Sequence, residues 1–226
     1  MTLSELLVAM TITMSVMGAL VGLVQGAQET FQALPEAADV EQRVRAGVDA
    51  LARDLIMAGA GRQHGSLDPC DDEVSLLPYR SNAISILYVP RAQTMSTTRT
   101  YYLDTDPSTN TSELRRNDDG VSSVPVVDHV VGLEFAYFGE GPAPIDAASL
   151  EDGPWCDETG PQPFDVDVTS IRRVRVMLRV EAALDSMRGP AGVLFLHGGT
   201  SRSPGRYLPD REVAFEVSPR NLNVDR

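Results

Sequence analysis

One acidic side chain at the mouth of a membrane-length apolar run constrains this chain more than any other feature. From Leu6 to Val24 no residue carries a charge, and Glu5 stands immediately before that stretch. About 20 apolar residues cross a bilayer as a helix, so the run is a transmembrane candidate. A carboxylate at the bilayer centre costs about 2.5–3.5 kcal/mol on insertion scales. Glu5 would lie nearer an edge and still calls for a partner, the nearest being a positive charge. A secretory signal would show a basic leading segment, a shorter core and a small-residue cleavage site. Here the first basic residue is Arg43 and the apolar run is longer. An ordinary single-span anchor explains the length and leaves Glu5 unexplained.

The helical pattern outlasts the apolar run. Beyond Gln25 the sequence turns polar, yet Ala37, Val40, Val44, Val48, Leu51 and Leu55 recur at three- and four-residue intervals, the stripe of an amphipathic helix. Glu41, Arg45, Asp49 and Arg53 read as its solvated face, with weak ion pairs at most. The pattern predicts one helix from Thr2 to about Gly59, roughly 85 Å at 1.5 Å per residue. Pro35 interrupts it and predicts a kink. Gly18, Gly22 and Gly26 form a small-xxx-small series that permits close helix approach in lipid, and glycine equally permits local unwinding. Gly59, Gly61 and Gly65 are the expected helix terminators.

From there the chain reads as strands. Ala83–Val89 is one, and Thr100–Leu103 and Glu113–Arg116 flank a turn-rich Asp104–Ser112 as a hairpin. Val126–Phe138 and Ile171–Ala182 are the longest candidates, and Glu212–Val217 is the last. The order, one long helix then antiparallel strands, predicts an α+β fold. Its expected division is a transmembrane helix over 1–26, an amphipathic continuation over 27–60, and a β-rich head over 61–226. One head is the economical count for a chain of 226 residues. The stretches Gly139–Asp167, which holds Trp155, and Arg188–Pro209, with its apolar Val193–Leu196, read as long loops, functional or flexible, either of which could face a neighbouring subunit.

Charge and chemistry narrow the function. The net charge is −13, and Glu5 is the only ionisable side chain before Glu29, so the rest carries −12. Such a surface repels phosphate backbones and argues against nucleic-acid binding. All 19 basic residues are arginine, a bias for which codon usage is a sufficient explanation. His197-Gly198-Gly199 resembles the oxyanion loop of some esterases, but no Gly-x-Ser-x-Gly elbow accompanies it, so a turn is the better reading. His64, His129 and His197 are too scattered for a zinc site. Asp104, Asp106, Ser108 and Asn110 alternate as calcium ligands do, yet Thr109 stands where the loop needs glycine and Arg115 where it needs an acid. Asp68, Asp71, Asp72 and Glu73 read as a soluble acidic surface. These readings predict no enzyme, no metal and no cofactor.

Thr2, Leu3, Glu5, Leu7, Val8 and Ala9 resemble the start of mature type IV pilins and type II secretion pseudopilins. The stretch Gln42–Gly59, with its Arg53-Asp54-Leu55-Ile56-Met57-Ala58-Gly59 ending, is similar to the helix end of minor pilins of the PilW class. Val130–Tyr137 and Ile171–Leu178 are similar to strands of PilW and of the pseudopilin GspJ. The resemblance covers the first 60 residues well and the head in patches. It implies that Met1 is the processed, N-methylated residue, released by a prepilin peptidase. It also implies that Glu5 pairs with the amino terminus of a neighbouring subunit, and that Gly18, Gly22 and Gly26 either pack or melt in the filament. The implied partners are other minor pilins, the major pilin and a tip adhesin. The implied location is the inner membrane, single-pass with a periplasmic head, and then the pilus tip or subtip, in support of piliation, twitching and adhesion. A GspJ-like pseudopilin is the alternative within the superfamily, and a membrane-anchored extracytoplasmic binding protein is the alternative outside it. An extracytoplasmic head would favour a Cys70–Cys156 bridge, worth about 2–4 kcal/mol, the other option being two buried thiols.

Overall fold

The computed structural model describes residues 2–58, 82–90, 97–146 and 171–219. A single helix, α1, runs Leu3–Met57, and seven strands follow, all paired antiparallel. The chain is α+β, a long N-terminal helix followed by antiparallel sheets, as the order of patterns predicts. The helix stays continuous through Pro35. Proline removes one backbone bond of the ladder, and the remaining turns hold the helix together.

The residues form two compact units, Met1–Asp39 with Ala182–Pro209, and Val40–Glu181 with Asp210–Arg226. The second unit contains both sheets. β1 (Ala83–Tyr88), β2 (Thr97–Asp106), β3 (Thr111–Asp118) and β4 (Ser122–Asp128) form a four-stranded meander, and β5 (Val130–Phe138), β6 (Arg173–Val180) and β7 (Arg211–Val217) a three-stranded one. The sequence predicts the second strand pair shorter than it is. β2 and β3 extend to Asp106 and Thr111, leaving only a tight turn in which Asn110 takes a positive φ of 53°, a conformation asparagine tolerates.

The run Val126–Phe138, expected as one strand, is two. His129 adopts φ 55° between Asp128 and Val130, and the chain crosses there from the first sheet to the second. Apolar residues continue on both sides of the corner, so their pattern conceals the break. β5 then lies against β1, β2 and β3, which closes the core between the sheets. On β6, Val174, Val176, Leu178 and Val180 point inward while Arg173, Arg175 and Arg179 alternate outward, the period-two signature of a half-buried strand.

The helix segment of this unit supplies the other wall. Val40, Val44, Leu51 and Leu55 are buried, whereas Glu41, Arg45, Asp49 and Arg53 are exposed. Gly47 lets the helix approach closely: a Cβ there would stand 2.7 Å from Leu178 Cδ2 and 3.4 Å from Val127 Cγ2. The rim carries ion pairs, Arg43–Asp128 at 3.1 Å and Arg211–Glu41 at 3.0 Å.

Candidate functional site

The segment that the sequence singles out is the start of α1. Leu3–Val24 is long and apolar enough to cross a membrane, with a mean hydropathy of 2.2 and none of it buried within the chain. It is the one such helix among the described residues. Its hydroxyls turn back onto their own helix: Thr11 Oγ1 donates to the Val8 carbonyl at 2.9 Å, Thr13 Oγ1 to Ala9 at 2.8 Å, and Ser15 Oγ to Thr11 at 2.8 Å. Polar side chains satisfied internally are compatible with lipid. A Cβ on Gly18 or Gly22 would meet nothing within 4 Å, so that face is open to a neighbour. Gly26 lies within α1.

Glu5 sits in the first turn and is engaged within its own chain. The Thr2 amide donates to Glu5 Oε2 at 2.8 Å, and the Glu5 amide reaches Thr2 Oγ1 at 3.4 Å. This is a capping box, in which the residue before the helix and the third helical residue satisfy each other's free amides. Sequence reasoning assigned Glu5 to an intermolecular partner and missed this local one, although the Thr-x-x-Glu spacing that signals it is plain in Thr2–Glu5. The two roles are compatible, because a carboxylate has two oxygens and about four acceptor positions, and the cap engages Oε2.

Past the span, apolar exposure continues. Phe31 is 75% exposed and Leu34 66%. Glu36, on the next turn, is buried and accepts a hydrogen bond from the Ala183 amide of the same compact unit.

A second polar cluster, also missed from sequence, anchors the later part of the helix. Asp54 is buried beside Leu55; its Oδ2 accepts from Tyr101 Oη at 2.7 Å and its Oδ1 from Arg99 at 2.9 Å. Arg99 also lies 5.1 Å from the Tyr88 ring centre. Burial, then the hydrogen bond and charge of Asp54, push the Tyr101 hydroxyl's pKa well up, so it stays a donor to the carboxylate. The available signal was an acid inside an apolar stripe, three residues from Leu51 and adjacent to Leu55. Buried charges need partners. The cluster holds helix to strand, and Arg99 also meets Asp118 of β3 at 3.3 Å.

Other expected sites fall as follows. Asp106 Oδ1 accepts from the Ser108 amide and hydroxyl at 2.8 and 2.6 Å, and Asp104 stands 3.8 Å from Arg115, so the candidate calcium-loop oxygens act as turn supports. His129 marks the corner between the sheets and His197 lies in the loop after β6. Among the described residues no group of three or more His, Cys, Asp or Glu side chains is placed to hold a metal ion. Met1, Cys70 and Cys156 lie outside the described residues, as do Gly59, Gly61, Gly65, His64, Trp155 and the acidic run Asp68–Glu73.

No protein-family model matches the chain, and no curated protein does. Among solved structures it is similar to a type IV-like pilin from Thermus thermophilus, with 12% identity and a TM-score of 0.43, over 80% of this chain and 97% of that one.

Proposed function

We propose that this chain is a minor type IV pilin of the PilW class, which inserts in the inner membrane by Leu3–Val24 and later packs at or just below the tip of a pilus. The observation that carries the reading is Glu5 at the head of an apolar helix of which none is buried among the described residues. In lipid the tails cover that surface, and in a filament neighbouring helices do. Phe31 and Leu34 favour the filament over a plain anchor. They lie just beyond the apolar run and extend the uncovered apolar surface that neighbouring helices would meet in a filament.

The mechanism is packing. Glu5 Oε1 accepts the terminal ammonium of a neighbouring subunit while Oε2 keeps the helix cap. Gly18 and Gly22 allow close approach of the adjoining helix. The head meets other minor pilins through its sheet edges and long loops, and the complex primes polymerisation of the major pilin and supports a tip adhesin. Met1 is the residue that a prepilin peptidase exposes and that is then methylated. Cys70 and Cys156 bridge in the periplasm.

Intact mass spectrometry of the protein from its native membrane tests this reading. A processed amino terminus carrying one methyl group, about 14 Da, supports it. An unprocessed, unmethylated terminus points instead to an anchored binding protein. Deletion distinguishes the two filament systems: a minor pilin's loss abolishes piliation and twitching, whereas a GspJ-like pseudopilin's loss blocks exoprotein release.

A further inference from the structure

The segment Ala182–Pro209 folds as an ordered loop around one buried arginine. Arg188 is 5% exposed and donates from Nε to the Ala182 carbonyl and from a terminal nitrogen to Ala183, while its other terminal nitrogen meets Asp185 at 2.8 Å. Thr200 and Gly199 amides bond the carbonyls of Asp185 and Gly189 at 2.7 and 2.9 Å. A Cβ on Gly199 would stand 2.2 Å from the Arg188 carbonyl oxygen, so only glycine fits there. From this base rises a tight turn closed by reciprocal backbone bonds between Gly192 and Phe195, at 2.8 and 3.3 Å. Val193 and Leu194 form its tip and are 92% and 60% exposed.

A rigid loop that spends its bonds on presenting two aliphatic side chains to solvent needs a cover for them. The loop's aromatic residues are not part of the display: Phe195 is buried and meets Tyr207 edge to face at 5.5 Å. Protein–protein hot spots favour exposed Trp, Tyr and Arg and under-use Leu and Val. Leucine and valine are instead among the residues that insertion into lipid favours. The charge agrees. The segment holds three arginines and one aspartate in a chain of net −13; Arg188 and Asp185 offset each other, and Arg202 and Arg206 are exposed. An apolar tip with flanking cations is complementary to an anionic lipid surface.

The same compact unit contains the membrane-length span. The loop is tied to α1 at Glu36, twelve residues past Val24, or about 18 Å along the axis. A headgroup layer extends roughly 5–8 Å beyond the hydrocarbon, so Ala183, at the loop's base, stands on the order of 10 Å from it, less if the helix tilts, a gap that the roughly ten residues from Ala183 to the tip can span. The anchor keeps the loop at high effective concentration beside the bilayer, so a weak contact suffices.

We propose that Val193 and Leu194 dip into the lipid surface next to the anchor helix, with Arg202 and Arg206 on anionic headgroups, before the subunit enters a filament. This rests on the reading that Leu3–Val24 spans the membrane. The test uses the full chain in vesicles of phosphatidylcholine with a minority of phosphatidylglycerol, with or without brominated acyl chains. Leu194→Trp, Val193→Trp and, as a marker of the span, Leu20→Trp are compared after subtraction of the native Trp155 signal. Bromolipid should quench the tip tryptophans by about half as much as the Leu20→Trp probe, and less when the anionic lipid is omitted. Quenching of Leu20→Trp without quenching of either tip variant overturns the inference and leaves the anchor intact. Absence of quenching at Leu20→Trp removes the membrane reading and the inference with it. Tip tryptophans open to iodide in vesicles and shielded only in filaments would assign the loop to a neighbouring subunit, and the lipid proposal would be wrong.

Discussion

The two ends of α1 share one backbone and meet opposite demands. Over Leu3–Val24 the surface is predominantly apolar, the hydroxyls of Thr11, Thr13 and Ser15 are bonded back to the helix, and none of it is buried. Over Val40–Met57 a narrow stripe is buried, the opposite face is charged, and Asp54 and Gly47 fit the strands beside them. The difference teaches where each half finds its stability. The later half draws it from its own chain, so its residues are matched one to one with particular partners. The first half has no such partners among the described residues, and on the proposed reading its surface is covered from outside, by lipid or by other helices. Changes in the later half should therefore be felt in folding, and changes in the first half in assembly.

The largest effect that could break this division belongs to Glu5. Removing one member of a desolvated charge pair costs about 3–5 kcal/mol, so Glu5→Ala should lower recovery of the subunit in sheared filaments by about a hundredfold or more. The denaturation midpoint of the head should not move. Next comes Asp54→Ala, which leaves the buried Tyr101 hydroxyl without its acceptor, while Arg99 keeps Asp118 at 3.3 Å. It should destabilise the detergent-solubilised protein by about 2 kcal/mol in chemical denaturation while membrane insertion stays normal. A mutant that folds normally yet fails to insert would reverse the roles of the two halves. Gly47→Val places branched carbon against Leu178 and Val127 and should cost about 1–3 kcal/mol by overpacking, read in the same titration. Unchanged stability would mean that the helix does not sit this close to the strands.

The smallest effect lies on the outer face of the second sheet. Glu216 accepts hydrogen bonds from Arg175 at 2.6 and 2.9 Å and from Arg173 at 3.2 Å. The Arg175 bond, helped by the two arginine charges, holds its carboxyl below the ordinary glutamate value. A depressed carboxylate pKa contributes stability that is present above the unfolded value and is lost as pH falls through the folded one. Glu216→Gln should therefore lower the melting temperature slightly near neutrality, and the difference should shrink as the pH is brought below the ordinary glutamate range. Because the pair is exposed, the shift should be small, and a large one would show that this face is covered.

What could be read from sequence follows the same contrast. A uniform apolar run and a three-to-four stripe are signals summed over many residues, and they located α1 to within two residues at either end. Strands announced by alternation, such as β6, were equally legible. Features resting on one residue's geometry were not. Val126–Phe138 hides a corner because apolar residues continue through it and only the positive φ of His129 marks the break. The role of Asp54 was signalled only by its place in the apolar stripe, because its partners, Arg99 and Tyr101, come from a strand more than forty residues away. The capping role of Glu5 was legible in Thr2–Glu5 and was masked by the more conspicuous membrane argument.

That overlap of roles identifies the most direct measurement. Glutamine serves as well as glutamate at the third helical position of a capping box, but it cannot neutralise an ammonium ion. The Glu5→Gln subunit should insert in the inner membrane with normal helix content and yet be lost from purified filaments as completely as Glu5→Ala. Wild-type amounts of the Glu5→Gln subunit in those filaments would show that Glu5 only caps its own helix, and the proposed assembly role would be contradicted.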